Sequence, residues 1–228
     1  MVRLLDGRVV VFGTIHVDAS GPEEVRRLLR RERPDLVLLE LDWERYQGLV
    51  ARTRARQQVP SGMVSSGETG SVVERVQALQ EQLASAFGTV AGAEMDAALE
   101  EARTLDACVD FIDVPLVELV EDAAPGLERL LVGDGEHEGG MDLDEVREVV
   151  DQFRHGGRVA EWVQRFAAEA PELYETLISK RNAHMARRVL ELLRDGLYEK
   201  VVVVVGAAHV AGLVALLREG LGAGGESS

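Results

Sequence analysis

The chain has 228 residues, with 40 Asp and Glu against 25 Lys and Arg, for a formal net charge of -15. That balance excludes a general nucleic-acid binder, which needs a basic stripe to displace counterions from phosphates, and it disfavours docking on anionic lipid. With 46% hydrophobic residues, one domain of this length can bury a sizeable core, so the chain is not disordered.

Only Lys180 and Lys200 among the basic residues are lysines. An acid-rich, lysine-poor surface suits a halophilic protein, because carboxylates stay hydrated in concentrated salt and screening removes their mutual repulsion. GC-rich coding, which favours arginine codons, accounts for the same bias. Melting temperature against KCl separates the two readings. The lone Cys108 forbids an intrachain disulfide and fits a reducing, cytoplasmic setting; it reads as a small core hydrophobe. The apolar stretch before His16 is too short for a signal peptide. Residues 201–217 carry no acid, Lys or Arg, yet five valines followed by AAHVAGLVALL read as a buried strand and then a helix, so no membrane span is expected.

In chain order, residues 8–12 (RVVVF) form the first strand expected. A helix over 22–33 follows, opened by Ser20-Gly21-Pro22 and two glutamates, with Val25, Leu28 and Leu29 as its apolar stripe. Residues 36–40 (LVLLE) are the second strand, and 43–56 a basic helix. Residues 57–71, rich in Ser and Gly, read as a loop or flap. The spacing of Met95, Ala98 and Leu99 predicts a helix over 92–105, and CVDFID over 108–113 is the third strand. An acidic turn at 133–140 precedes a helix over 142–154. A long helix covers 171–197, with Leu173, Ile178, Met185, Val189 and Leu193 inward, before the last strand at 201–205. Nearly continuous apolar strands are buried on both faces, as in parallel sheets. The expected fold is therefore α/β: a single domain over 1–228 with a mainly parallel central sheet flanked by helices. A mostly helical cap over 114–198 precedes the last strand, and 221–228 is a frayed tail.

Polar residues arrive at the carboxyl end of each strand. The first ends in Gly13-Thr14-Ile15-His16, the second in Glu40, the third in Asp113, and the last in Gly206-Ala207-Ala208-His209. Open parallel sheets bind ligands outside these ends, so the residues should converge. Two Gly-x-x-His units and a carboxylate make a divalent-metal site from His16, Glu40 and His209. A lone histidine in an apolar turn is more often a hydrogen-bonded core residue, but Glu40 at the end of LVLLE needs a partner because a buried carboxylate is costly. Asp113 invites the same argument, although Asp also begins turns. Asn182 is out of place inside a helix, which points to a hydrogen-bonding duty. Arg181 beside it suits clamping of a carboxylate or phosphate, or lies on a solvated face. Glu94 stands at a helix start, where a carboxylate is favoured in any case. Arg45 and Tyr46 follow Glu40 by about one turn and are placed to line the same cleft. His137 and His155 sit in polar, glycine-bearing contexts and read as surface residues.

GTIHVD followed by PDLVLLELDWERY resembles the opening of the TraB/PrgY pheromone-shutdown family, related to the Tiki metalloproteases and GumN-like proteins. The resemblance continues at Gly92-Ala93-Glu94-Met95, Phe111-Ile112-Asp113, Arg181-Asn182-Ala183-His184-Met185-Ala186 and Val205-Gly206-Ala207-Ala208-His209-Val210, in the family's order. It implies an α/β core whose active site holds His16, His209 and Glu40, with Glu94, Arg181 and Asn182 as further cleft residues. Through the Tiki relatives it implies metal-dependent proteolysis with manganese or cobalt. Val114-Pro115 replaces the family's basic-acidic pair after Asp113, which puts a role for that residue in doubt. Membrane helices that follow the domain in many archaeal members are not expected here.

The function expected is a metal-dependent hydrolase, a metallopeptidase acting on short or extended peptides. Glu94 would be the base or proton shuttle, Arg181 and Asn182 would orient substrate or the oxyanion, and Arg45, Tyr46 and Asp113 would line the cleft. No H-E-x-x-H stands in the sequence, so a zincin is excluded. Two alternatives stay open: a non-catalytic binder that sequesters a signalling peptide, and a metal-independent esterase using His16 or His209 as base. The partners expected are a peptide or small-molecule substrate and, through exposed helices, a second copy in a homodimer.

Overall fold

Uninterrupted valine and leucine runs have nowhere stable to go except between two layers, and the computed structural model places them there. It describes residues 1–14, 21–58, 92–115, 117–119, 121–123 and 159–223. Strands β1 (Val2–Leu4), β2 (Val9–Thr14), β3 (Leu36–Leu39), β4 (Cys108–Phe111) and β5 (Val201–Gly206) form one sheet in the order β1-β2-β5-β3-β4. β1 is antiparallel to β2, and the other neighbours are parallel. The α/β class and mainly parallel sheet expected from the sequence are thus present. β5, in the middle, pairs with β2 from Val9↔Val201 to Thr14↔Gly206 and with β3 from Leu36↔Val201 to Leu39↔Val204. Its five valines are 0–1% exposed, which is why the run is unbroken by any polar residue.

The helices are α1 (Gly21–Glu32), α2 (Trp43–Gln58), α3 (Ala93–Thr104), α4 (Val159–Glu169), α5 (Pro171–Tyr174), α6 (Lys180–Arg194) and α7 (Ala207–Ala223). Side chains of a strand alternate between faces, so the core divides. Val202, Val204, Val37 and Leu39 pack with Val25 and Leu29 of α1, Leu49 of α2 and Met95 and Ala98 of α3. Val201, Val203, Val205, Leu36 and Leu38 pack with Met185 and Val189 of α6 and Leu213 and Leu217 of α7. Arg30 clamps Glu101 with two bonds of 3.0 and 2.8 Å, tying α1 to α3. α6, although part of the stretch expected as a cap, supplies one layer of the sandwich. Gln57 and Gln58, expected in the loop over 57–71, are helical at the end of α2, and residues 221–223, expected in the frayed tail over 221–228, are helical at the end of α7; the rest of that loop and tail, the acidic turn and the helix over 142–154 lie outside the described residues, as do His16, His137 and His155. Cys108 corrects the sequence reading: it is exposed, at the start of edge strand β4. Among the described residues no helix is long and apolar enough to cross a membrane.

The long helix expected from 171 continues from α5 through a π-helical turn, Glu175–Ser179, into α6. Gly13, in the first Gly-x-x-His unit, has a packing reason to lack a side chain. A Cβ there would stand 2.6 Å from Cγ2 of Val210 and 3.1 Å from the backbone Cα of Ala207. Val210 is stiff at χ1, and a backbone atom cannot swing aside. Gly13→Ala should therefore destabilise by about 1–3 kcal/mol, read as a lower midpoint in urea denaturation.

Candidate active site at the sheet switch point

β3 and β5 are neighbours in the sheet, but the chain leaves them toward opposite faces. α2 after β3 joins the α1 layer, and α7 after β5 joins the α6 layer. Such a divergence opens a crevice at the carboxyl ends of the two strands. Glu40 follows β3 directly, and Gly206 closes β5. α6 leads into β5, so it runs against the strands and its first turn, with Arg181 and Asn182, stands at this same end. Sequence and topology alone thus bring together residues far apart in the chain.

Glu40 is 0% exposed. One carboxylate oxygen, Oε2, accepts the Gly206 N–H at 2.5 Å. The other, Oε1, accepts a bond from Nη2 of Arg181 and lies 3.3 Å from Nε2 of His209. Arg181, also 0% exposed, gives Nε to Oδ1 of Asp113 at 3.0 Å and Nη2 to Oδ2 at 2.5 Å. Its Nη1 reaches the Leu177 carbonyl, in the π turn, at 3.2 Å. Behind Asp113 stands Arg45, whose Nη2 is 2.8 Å from Oδ2 of Asp113 and 3.0 Å from the Val114 carbonyl. Arg45 Nε meets Oδ2 of Asp42 at 2.7 Å, while Oδ1 of Asp42 accepts the Arg45 backbone N–H at 2.8 Å. Asp42 therefore caps α2 and pins Arg45 at once.

Burial by itself would raise the Glu40 carboxyl, but attraction to His209 and Arg181 outweighs it and holds the group well below its usual range. Burial pushes Asp113 up as well, and Arg181 and Arg45 together bring it far below. The Arg181 guanidinium, which burial alone would weaken as a base, is held charged by Asp113 and Glu40. Among the described residues, this chain of ion pairs holds three carboxylates and two guanidiniums.

His209 is 1% exposed. Its Nδ1 lies 2.8 Å from Oδ1 of Asn182. An amide oxygen can only accept, so Nδ1 carries a proton and donates, and Nε2 is the ring atom turned toward Glu40. That atom is buried with no well-formed hydrogen bond among the described residues, although it faces Glu40 Oε1 at 3.3 Å. An imidazole nitrogen and a carboxylate oxygen at this separation call for a positive charge between them, either a proton or a cation. Two donors on a tetrahedral ion at ~2.0–2.1 Å also stand about 3.3 Å apart. With the second ring nitrogen already held by an amide, as metal-ligating histidines usually are, His209 and Glu40 fit a divalent ion, the carboxylate being shared with Arg181. Among the described residues no group of three His, Cys, Asp or Glu side chains could hold a metal, and His16, the third donor expected, lies outside them.

Of the residues singled out in the sequence, Glu40, Asp113, Arg181, Asn182 and His209 meet in one buried cluster, with Arg45 directly behind. Asp113 is not spare: it accepts two bonds from Arg181 and the backbone N–H of Val114. Glu94 is 2% exposed at the head of α3, at the same end of the sheet. Its carboxylate folds over Gly92, where a Cβ would stand 2.3 Å from Oε2. Tyr46 packs on Phe111, with ring centroids 4.9 Å apart, beside Trp43, which is 61% exposed. Asp42 escaped the sequence reading; its signal was the Asp42-x-x-Arg45 spacing at a helix start.

The fold and site together define an open α/β protein with a buried acid–guanidinium–imidazole cluster at its switch point. Residues 134–220 match the model of the TraB/PrgY/gumN family, the same family that the motifs resemble. That segment contains Arg181, Asn182 and His209. The chain is also 25% identical over 232 residues to an uncharacterized protein of Methanocaldococcus jannaschii, an alignment covering 96% of this chain and 56% of that protein. It thus spans little more than half the length of that relative.

Proposed function

We propose that the chain is a divalent-metal-dependent hydrolase, cleaving amide bonds in short or extended peptides, with His209 and Glu40 as donors to the ion. The observation that supports this most is the buried Nε2 of His209, which has no well-formed hydrogen bond among the described residues and faces a carboxylate oxygen. When bound, the ion supplies Lewis acidity toward a carbonyl and a more acidic water. The protein's own groups supply the rest. Asn182 fixes the His209 ring, Gly206 N–H and Arg181 orient Glu40, and Glu94 is the candidate proton shuttle at the rim. Arg181 and Asn182 act through Glu40 and His209 on this reading. His16 is proposed as a further donor, with manganese or cobalt as the ion.

Incubation of the purified protein with a peptide library and Mn²⁺ or Co²⁺ should yield product that a chelator abolishes and that His209→Ala lacks. No product with any divalent ion would refute the hydrolase. The guanidinium already seated on Glu40 favours a second reading, in which His209 is the base of a metal-independent hydrolase; chelator-resistant turnover would select it. Micromolar binding of a peptide without turnover would make the crevice a sequestering site.

A further inference from the structure

Gly212 stands inside α7, where a glycine costs about 1 kcal/mol relative to alanine. Its absent side chain is occupied space. A Cβ at position 212 would lie 2.4 Å from Nδ2 of Asn182 and 3.2 Å from its Cγ. His209 and Gly212 are three residues apart and share one face of the helix. Asn182 crosses from α6 over both: its nitrogen end lies in the notch left by Gly212, and its oxygen end takes the Nδ1–H of His209 at 2.8 Å. Asn182 is 4% exposed and His209 1%, so the amide has little room to settle elsewhere.

We infer that Gly212 is a positioning residue for His209: the notch lets the Asn182 amide lie across α7, fix the proton on Nδ1 and aim Nε2 at Glu40. An alanine methyl would meet the far end of a side chain, and that end, rather than either helix, would give way. The consequence is a separation of stability from site geometry. Gly212→Ala should leave the melting temperature within a few degrees of wild type, the gain in helix propensity offsetting much of the cost of the unpaired His209 donor, while the His209 ring loses its hydrogen bond. For the effect on turnover the inference rests on the hydrolase reading, but its geometric part does not.

The test uses the full chain labelled with ¹⁵N-histidine. Gly212→Ala should shift or abolish the His209 Nδ1–H resonance, Asn182→Ala should do the same, and the double variant should show no change beyond either single one. If peptide hydrolysis is found, kcat of Gly212→Ala should fall about 10–100-fold with KM little altered. Wild-type His209 resonances in Gly212→Ala would overturn the inference, as would a further shift when the change is made in the Asn182→Ala background. A large fall in melting temperature would also overturn it, by making Gly212 a glycine of helix packing. Altered resonances in a protein that hydrolyses nothing would leave the inference standing and refute the hydrolase.

Discussion

Replacing Arg181 by methionine should destabilise the fold by about 3–5 kcal/mol at neutral pH, the usual cost of leaving a buried charge without its partner. The guanidinium is fully buried between Glu40 and Asp113, so its loss takes the arginine from Glu40 and leaves Asp113 with Arg45 alone. The pH dependence carries the diagnosis. In the wild type both carboxyls are held below their ordinary range. Their contribution is complete above the unfolded values near pH 4 and is lost as pH falls through the folded values, about 2 for Glu40. In Arg181→Met burial is no longer opposed by this cation, so both carboxyls should shift upward. Protonation then relieves the variant on acidification, and its deficit against wild type should shrink between pH 7 and pH 5. Urea denaturation at the two pH values measures this, and an equal deficit at both would contradict the assignment.

Glu40→Gln should have the largest effect on chemistry. The amide keeps the shape of Glu40 but removes the charge that faces Nε2 of His209 at 3.3 Å. Arg181 retains Asp113 through bonds of 3.0 and 2.5 Å, so the variant should fold. If the ion supplies several kcal/mol of transition-state stabilisation, peptide hydrolysis should fall by on the order of 10²–10³. The far-ultraviolet spectrum should be unchanged. Activity within a few-fold of wild type would remove Glu40 from the reacting centre.

Much of this arrangement is legible in the amino-acid sequence, and for identifiable reasons. Strands buried on both faces must be written almost wholly in apolar residues, so β2, β3 and β5 announce themselves and their first polar residues mark the switch point. A glutamate ending such a run and an asparagine inside a helix each violate a local preference, and both lie in the buried cluster. What stays hidden violates nothing. β1 is three residues long and has no period to read. Asp42 looks like an ordinary helix cap. Gly212 looks like one small residue among several, because the atom that fills its notch comes from a helix thirty positions back in the chain. Cys108 misleads because an apolar run does not reveal that its strand lies at the sheet edge, and the π turn before Arg181 has no compositional mark.

If His209 and Glu40 share a divalent ion, both should be needed for its uptake. Calorimetric titration of the metal-stripped protein with Mn²⁺ or Co²⁺, repeated on Glu40→Gln and His209→Gln, tests it most directly. The wild type should bind stoichiometrically, with affinity weakened at least tenfold in each variant. Wild-type protein that takes up neither ion, or variants that bind as well as wild type, would contradict it.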